Sequence, residues 1–165
     1  MRTLGGMEQT KAPLDLRALV VDAALAGITA GVLLEAYLYA TVVAPNHASL
    51  LGGWAWIAST VLGKAAFSNP YAPWIGLLFH FLVSIGWAGG YAYLAQQNTV
   101  MRDRWVTSGI VYGICVAVGM QLILLADGNF MWNGWPAYGN TILGHALFFG
   151  LPLAYIVRAL ARRRA

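Results

Sequence analysis

The sequence is poor in charged residues and nearly free of cysteine. Only 10% of its residues are charged and 59% are hydrophobic, whereas soluble domains carry about 25% charged residues. This balance excludes an ordinary soluble domain and indicates a protein that lies in a bilayer. The one cysteine, Cys115, rules out a disulfide framework or a cysteine metal site, and its apolar neighbours predict a small buried residue. No basic patch is interleaved with aromatic residues, which argues against nucleic acid as a partner.

Four apolar stretches are long enough to cross the hydrocarbon core as helices, which takes around 20 residues. They are residues 18–43, 73–97, 105–127 and 141–160. A chain of 165 residues has room for one such bundle, so residues 1–165 are predicted to form a single transmembrane domain. The predicted fold class is therefore all-α, an integral membrane four-helix bundle whose outer surface contacts lipid.

Basic residues collect on one side of these four stretches. Nine of the ten precede the first stretch, separate the second from the third, or lie at or beyond the end of the fourth, and Lys64 is the exception. Cytoplasmic loops carry an excess of lysine and arginine. The pattern predicts a multi-pass, N-in and C-in protein of the bacterial inner membrane, with both termini in the cytoplasm.

The two predicted outer connections are rich in tryptophan. The first contains an apolar but glycine-broken stretch, about residues 49–66, which predicts a short interfacial helix anchored by Trp54 and Trp56, or else a re-entrant helix. The second predicts a belt of aromatic residues at the headgroup level. Its members are Trp132, Trp135 and Tyr138.

Small residues four positions apart predict close contacts between the helices. Lipid tails are as apolar as leucine, so helices in a membrane associate through close backbone approach and a few polar contacts. Pro152 predicts a kink within the fourth stretch. The glycine pairs are Gly27 with Gly31, Gly86 with Gly90, and Gly109 with Gly113.

Each of the four stretches carries one polar residue in its outer half. Glu35, His80, Gln121 and His145 lie roughly 6–12 Å below the outer end at 1.5 Å per residue. Ionisable residues at such depth usually face the bundle interior and often mark function. Helical spacing adds Tyr39, Ser84 and Tyr91 to the same faces, and His47 in the first outer connection is placed to close over the cluster. Asp22, near the inner end, is expected to be solvated or to pair with Arg17 or a C-terminal arginine.

Four kinds of site fit Glu35, His80 and His145. Two histidines and one carboxylate can hold a divalent metal. The same three groups can carry a proton, because imidazole titrates near neutral pH. Two histidines on different helices can also be the axial ligands of haem b. The fourth alternative is a buried hydrogen bond that fixes the helix register and binds no ligand.

Three segments of the chain are similar to a known family. "GLLFHFLVSIGWAGGYAYLA", "GIVYGICVAVGMQLILL" and "ILGHALFFGLPLAYIVRALARRR" resemble the YagU-like bacterial inner-membrane proteins over about the C-terminal 95 residues. "GITAGVLLEAY" is a vaguer match to the first span of that family. The matching positions are His80, Ser84, Gly90, Tyr91, Gly144 and His145. The resemblance implies a multi-pass inner-membrane protein, and it implies no reaction or cofactor.

The functional expectation is a small binding or accessory membrane protein with a polar Glu/His/His site open toward the outer face. Such a protein can be a homo-oligomer or a subunit of a larger membrane complex. The alternatives are a b-type haem electron-transfer protein and a small proton or cation transporter. A hydrolase is not expected, because no serine or cysteine nucleophile is recognisably paired with a base.

Overall fold

The computed structural model describes residues 14–128 and 134–164, and these residues contain helices and turns but no strand. The long α1 covers Leu16–Leu38 and continues as a π-helical segment, Tyr39–Val43. The first connection contains α2, Leu50–Leu62, and a 3-10 segment, Gly63–Ser68. The remaining helices are α3, Ala72–Gln97; α4, Thr99–Asp103; α5, Trp105–Ala126; α6, Gly134–Gly144; and α7, Leu151–Arg164, which follows a π segment, His145–Gly150.

The helix boundaries follow from local chemistry. The Asp15 side chain caps α1 by accepting a hydrogen bond from the Ala18 backbone N–H at 2.9 Å, and Ser49 caps α2 in the same way. Gly63, with a φ of 58°, ends α2 in a conformation that favours glycine. The π segment before α7 ends two residues ahead of Pro152, whose missing N–H interrupts regular α-helical bonding.

Five helical segments are long and apolar enough to cross a membrane by length and composition. They are Leu16–Val43, Leu50–Ser68, Ala72–Gln97, Trp105–Ala126 and Gly134–Arg164. Four of them match the stretches predicted from sequence, and Leu50–Ser68 matches the segment predicted to be interfacial or re-entrant. The last helical segment begins at residue 134 rather than 141, because the aromatic connection is itself helical from Gly134 onward. Trp132 lies outside the described residues.

Helices α1 and α3 are antiparallel along their whole length. At one end the Asp15 backbone N–H donates to Gln96 Oε1 at 3.1 Å, and at the other Glu35 approaches His80. In the middle Gly27 lies so close to α3 that an added Cβ would be 2.6 Å from the Ile85 Cα. The connection that contains α2 therefore leaves α1 and joins α3 at the same end of the bundle.

The interior is built from small residues. Ala26, Ala30, Ala88 and Ala92 are fully buried between the helices. Helix α5 packs against the π segment before α7 through glycine, since an added Cβ on Gly113 would overlap the backbone of His145 and Ala146. Close backbone contact was predicted for all three glycine pairs, and this is wrong for the pair on α3. An added Cβ on Gly86 would meet nothing within 4 Å, and one on Gly90 would meet only the Tyr112 hydroxyl.

Large apolar side chains cover the outside of the bundle. The outward positions on α5 include Val111, Val118 and Leu122, each about half exposed. Cys115 lies on this outer face and is exposed, so the prediction of a buried cysteine is wrong. An apolar outer surface around a core of small residues is the arrangement expected of helices solvated by lipid.

One ion pair joins α1 to α7. Asp22 is 1% exposed, and both of its carboxylate oxygens accept from the Arg164 guanidinium, at 2.8 and 2.6 Å. Of the alternatives predicted for Asp22, pairing with a C-terminal arginine is the one that the structure shows, and the carboxylate is not solvated. This bidentate contact joins the first turns of α1 to the last turn of α7.

Candidate functional site

Helix α2 brings an indole to the Glu35 carboxylate. Trp54 Nε1–H donates to Glu35 Oε1 at 2.9 Å. This approach is possible because α2 lies directly on α3, where an added Cβ on Gly76 would overlap the Trp54 carbonyl. Trp54 is therefore a partner of the carboxylate, although the sequence predicted an anchor at the membrane surface.

The other oxygen of Glu35 faces His80. The distance between Glu35 Oε2 and His80 Nε2 is 3.9 Å, and the side chains are 21% and 11% exposed. His80 Nε2 also lies 3.2 Å from the carbonyl oxygen of Gly31. A carbonyl oxygen can only accept, so this ring nitrogen carries the proton. The His80 ring is thus fixed between a backbone carbonyl and a carboxylate of α1.

His145 is held by its own helix. Its Nδ1 lies 2.9 Å from the Thr141 carbonyl oxygen, one turn earlier, so Nδ1 carries the proton of this bond. His145 is the first residue of the π segment that packs on Gly113. Single π turns occur within α-helices frequently at functional sites. The segment fixes both the backbone and the ring of this histidine.

The two histidines line one cavity of about 620 Å³ in the half of the bundle that contains α2. Its walls come from α1, α2, α3, α5 and the π segment before α7. Most of them are apolar, and aromatic rings are prominent among them. The aromatic lining residues are Trp56, Phe79, Trp87 and Phe149, and the polar ones are Thr60, His80, Ser84, Asp127 and His145.

The supporting residues predicted from sequence are placed differently. Ser84 is buried and lines the cavity, as the helical spacing from His80 predicts. Tyr91 is 1% exposed, and its hydroxyl lies 2.8 Å from that of Ser108, so it belongs to the core below the cavity.

Three further predicted residues do not line the cavity. Gln121 is half-buried on α5. Tyr39 is 48% exposed in the π segment that ends α1. His47 is exposed in the following turn with a φ of 51°, so it does not close over the cluster.

A metal ion or a haem would require a geometry different from the one that Glu35, His80 and His145 have. Within the described residues, no three histidine, cysteine, aspartate or glutamate side chains are close enough to hold a metal ion. The structure therefore places Glu35 beside His80, and His145 on the cavity that His80 also lines. The three side chains do not form one set of metal ligands. A haem iron bound through His80 Nε2 would require the ring to give up its bond to Gly31.

Sequence reasoning missed the wall that α2 contributes. Trp56, Thr60 and their neighbours line the cavity, although they belong to a connection predicted to be an interfacial helix or else a re-entrant one. The sequence feature that points to this wall is the length of the connection, which far exceeds a turn. Compared with known proteins, the chain matches no family model, no curated protein and no solved structure.

Proposed function

We propose that the chain is a small inner-membrane protein that binds an apolar small molecule in its cavity, with His80 and His145 as the polar contacts and Glu35 as the residue that orients His80. The observation that carries the proposal is the cavity itself. Its volume of about 620 Å³ falls in the range of small-molecule sites, which are mostly apolar with a few placed polar groups.

The proposed topology has four crossings and a re-entrant α2. The antiparallel pairing of α1 with α3 supports it, since the connection that contains α2 begins and ends at one end of that pair. The basic residues support cytoplasmic termini, because nine of ten then lie inside. In this orientation the cavity lies in the outer half of the bilayer. Membership of the YagU-like family is part of the same proposal and is supported by the motifs around His80 and His145.

Binding is supported over conduction by the layer beneath the cavity. On α1 the cavity reaches Leu34, while a recess of about 300 Å³ at the other end of the bundle reaches Asp22. Between them Ala26 and Ala30 are 0% exposed. A proton or cation crossing the bundle would have to pass this close-packed apolar layer, which is costly for a charge.

Photolabelling in liposomes tests the proposal. A dodecanol that carries a photoreactive diazirine should label peptides from α2 and α3 that line the cavity. Val83→Phe should reduce this labelling, because Val83 lines the cavity and a larger side chain fills part of it. Leu82→Phe is the matched control, since the neighbouring Leu82 is 54% exposed and does not line the cavity.

Two results would contradict the proposal. One is uniform labelling of the lipid-facing positions with no preference for cavity peptides. The other is equal labelling of cavity peptides in the Val83→Phe and Leu82→Phe variants. The number of copies in the membrane, and association with a larger complex, are separate expectations that crosslinking in native membranes would measure.

A further inference from the structure

The His145 ring offers a hydrogen-bond acceptor to the cavity. Its Nδ1–H is committed to the Thr141 carbonyl, so in the neutral ring Nε2 carries a lone pair. Across residues 14–128 and 134–164, no fully buried side-chain nitrogen or oxygen lacks a hydrogen-bond partner. Nε2 has no partner among these residues, so it is not sealed in protein, and the ring that carries it lines the cavity.

His80 offers a second acceptor by the same reasoning. Its Nε2–H is committed to the Gly31 carbonyl, which leaves Nδ1 as the acceptor of the neutral ring. Nδ1 likewise has no partner in the described part of the chain and is open. The cavity therefore contains two imidazoles, each with its donor used and its acceptor free.

Other polar groups of the wall are also committed as donors. The Thr60 hydroxyl donates to the Ile57 carbonyl at 2.8 Å, and Trp87 Nε1–H donates to the Met120 sulfur at 3.4 Å. The wall also holds the Trp56 indole and the Ser84 hydroxyl, either of which can donate to a ligand oxygen. A hydroxyl group meets both demands, because it donates to an imidazole and accepts from an N–H or O–H.

The apolar part of the wall favours a flat ring. Trp56, Phe79, Trp87 and Phe149 surround the cavity, and aromatic side chains pack well against other aromatic rings. No charged side chain is needed by such a ligand. The one carboxylate of the lining, Asp127, is exposed at the end of α5.

The cavity faces lipid between α2 and the outer end of α5. Helix α2 packs mainly on α3 and makes at most marginal contact with α5. Along this gap the lining residues Val61, Val83 and Ile123 are 53%, 37% and 50% exposed. In a membrane these side chains contact acyl chains, so a molecule dissolved in the bilayer reaches the cavity without crossing water.

We propose that the occupant is a membrane-dissolved phenol or hydroquinone with an alkyl tail, whose hydroxyl donates to the free nitrogen of His145 or His80. This inference rests on the proposed function and names the ligand class of the same cavity. It differs from a general affinity for apolar molecules because it requires a donor on the ligand. A quinone or an ether of the same shape lacks that donor.

The test compares 4-nonylphenol with its methyl ether, which keeps the shape and removes the donor. Binding is measured by calorimetry on the purified full chain in lipid nanodiscs at pH 8.5, where imidazole is ordinarily neutral. The phenol should bind about tenfold more tightly than the ether, since one net hydrogen bond has about that effect on affinity. A third probe, 1-dodecanol, should bind more weakly than the phenol because it has no ring.

Variants locate the acceptor. The double variant His80→Ala with His145→Ala should bind phenol and ether equally, and His47→Ala should keep the wild-type ratio because His47 is exposed outside the cavity. If the double variant does not fold, the ratio of phenol to ether affinity in the wild-type chain still tests the inference. Equal wild-type binding of phenol and ether overturns the inference. If the phenol and the ether bind equally and Val83→Phe blocks both, the proposed function is kept, because the probes still bind in the cavity. Failure of both probes to bind overturns the inference together with the proposed function.

Discussion

Replacing Gly113 with alanine should destabilise the bundle at the seam that positions His145. An alanine Cβ there would overlap the His145 carbonyl oxygen and lie 2.8 Å from the Ala146 Cα. Carbon atoms in ordinary contact are about 3.5–4.0 Å apart. Helix α5 and the π segment would therefore have to separate by at least about 0.7 Å, the difference between these distances.

The size of the effect follows from two opposing terms. Forcing extra volume into a packed interior costs about 1–3 kcal/mol, and the upper part of that range applies because the opposing atoms are backbone. Alanine is favoured over glycine within a helix by about 1 kcal/mol. The expected net loss in the free energy of unfolding is about 1–2 kcal/mol, which lowers the Tm of a chain of this size by about 2–8 °C.

The assay is thermal unfolding in detergent, followed by far-UV circular dichroism. Gly86→Ala is the matched control, since an added Cβ at Gly86 meets nothing within 4 Å. The control should keep or slightly raise the Tm, because it gains helix propensity without a clash. If Gly113→Ala unfolds at the same temperature as Gly86→Ala, the close approach of α5 to the π segment is refuted.

Two further predictions concern the ends of the bundle. In a double-mutant cycle, Asp22→Ala and Arg164→Ala should couple by about 1–3 kcal/mol, because the carboxylate is 1% exposed and doubly hydrogen-bonded; unfolding free energies that simply add would contradict this. In a Cys115→Ser background, an impermeant thiol reagent should label Lys64→Cys on intact cells and Arg162→Cys only after the membrane is opened. A fifth crossing by α2 would place the C-terminus outside, so labelling of Arg162→Cys on intact cells would refute the four-crossing topology.

The helical segments were predictable from the sequence because apolar length carries most of the information in a membrane protein. A helix must satisfy its own backbone hydrogen bonds in lipid, so a long apolar run leaves few structural choices. The segment around Trp135 was harder. Its glycines, proline and polar residues are typical of a loop, yet it is helical from Gly134 onward, continuous with the last apolar stretch.

The approach of Glu35 to α3 follows from helical spacing, whereas its hydrogen bond to Trp54 on α2 does not. Glu35 shares a helical face with Gly27 and Gly31, and both glycines lie against α3 near Ser84. Trp54 reaches the carboxylate only because α2 folds back onto α3 at Gly76, and this contact depends on two segments that are separate in the sequence. The spacing of residues within one helix cannot predict a contact between two separate segments.

The location of the cavity has a packing explanation. In the half of the bundle away from α2, Ala26, Ala92 and Ala154 are fully or almost fully buried, so the helix backbones approach one another closely at these positions. In the other half, α2 is inserted beside α3, and π segments interrupt the regular turns at the end of α1 and before α7. The π segment before α7 packs tightly on α5 through Gly109 and Gly113, so the space lies beside this seam, toward α2. This segment contributes both the backbone that packs on α5 and the His145 and Phe149 side chains that line the cavity, so the tight seam and the placement of the imidazole have a common structural cause.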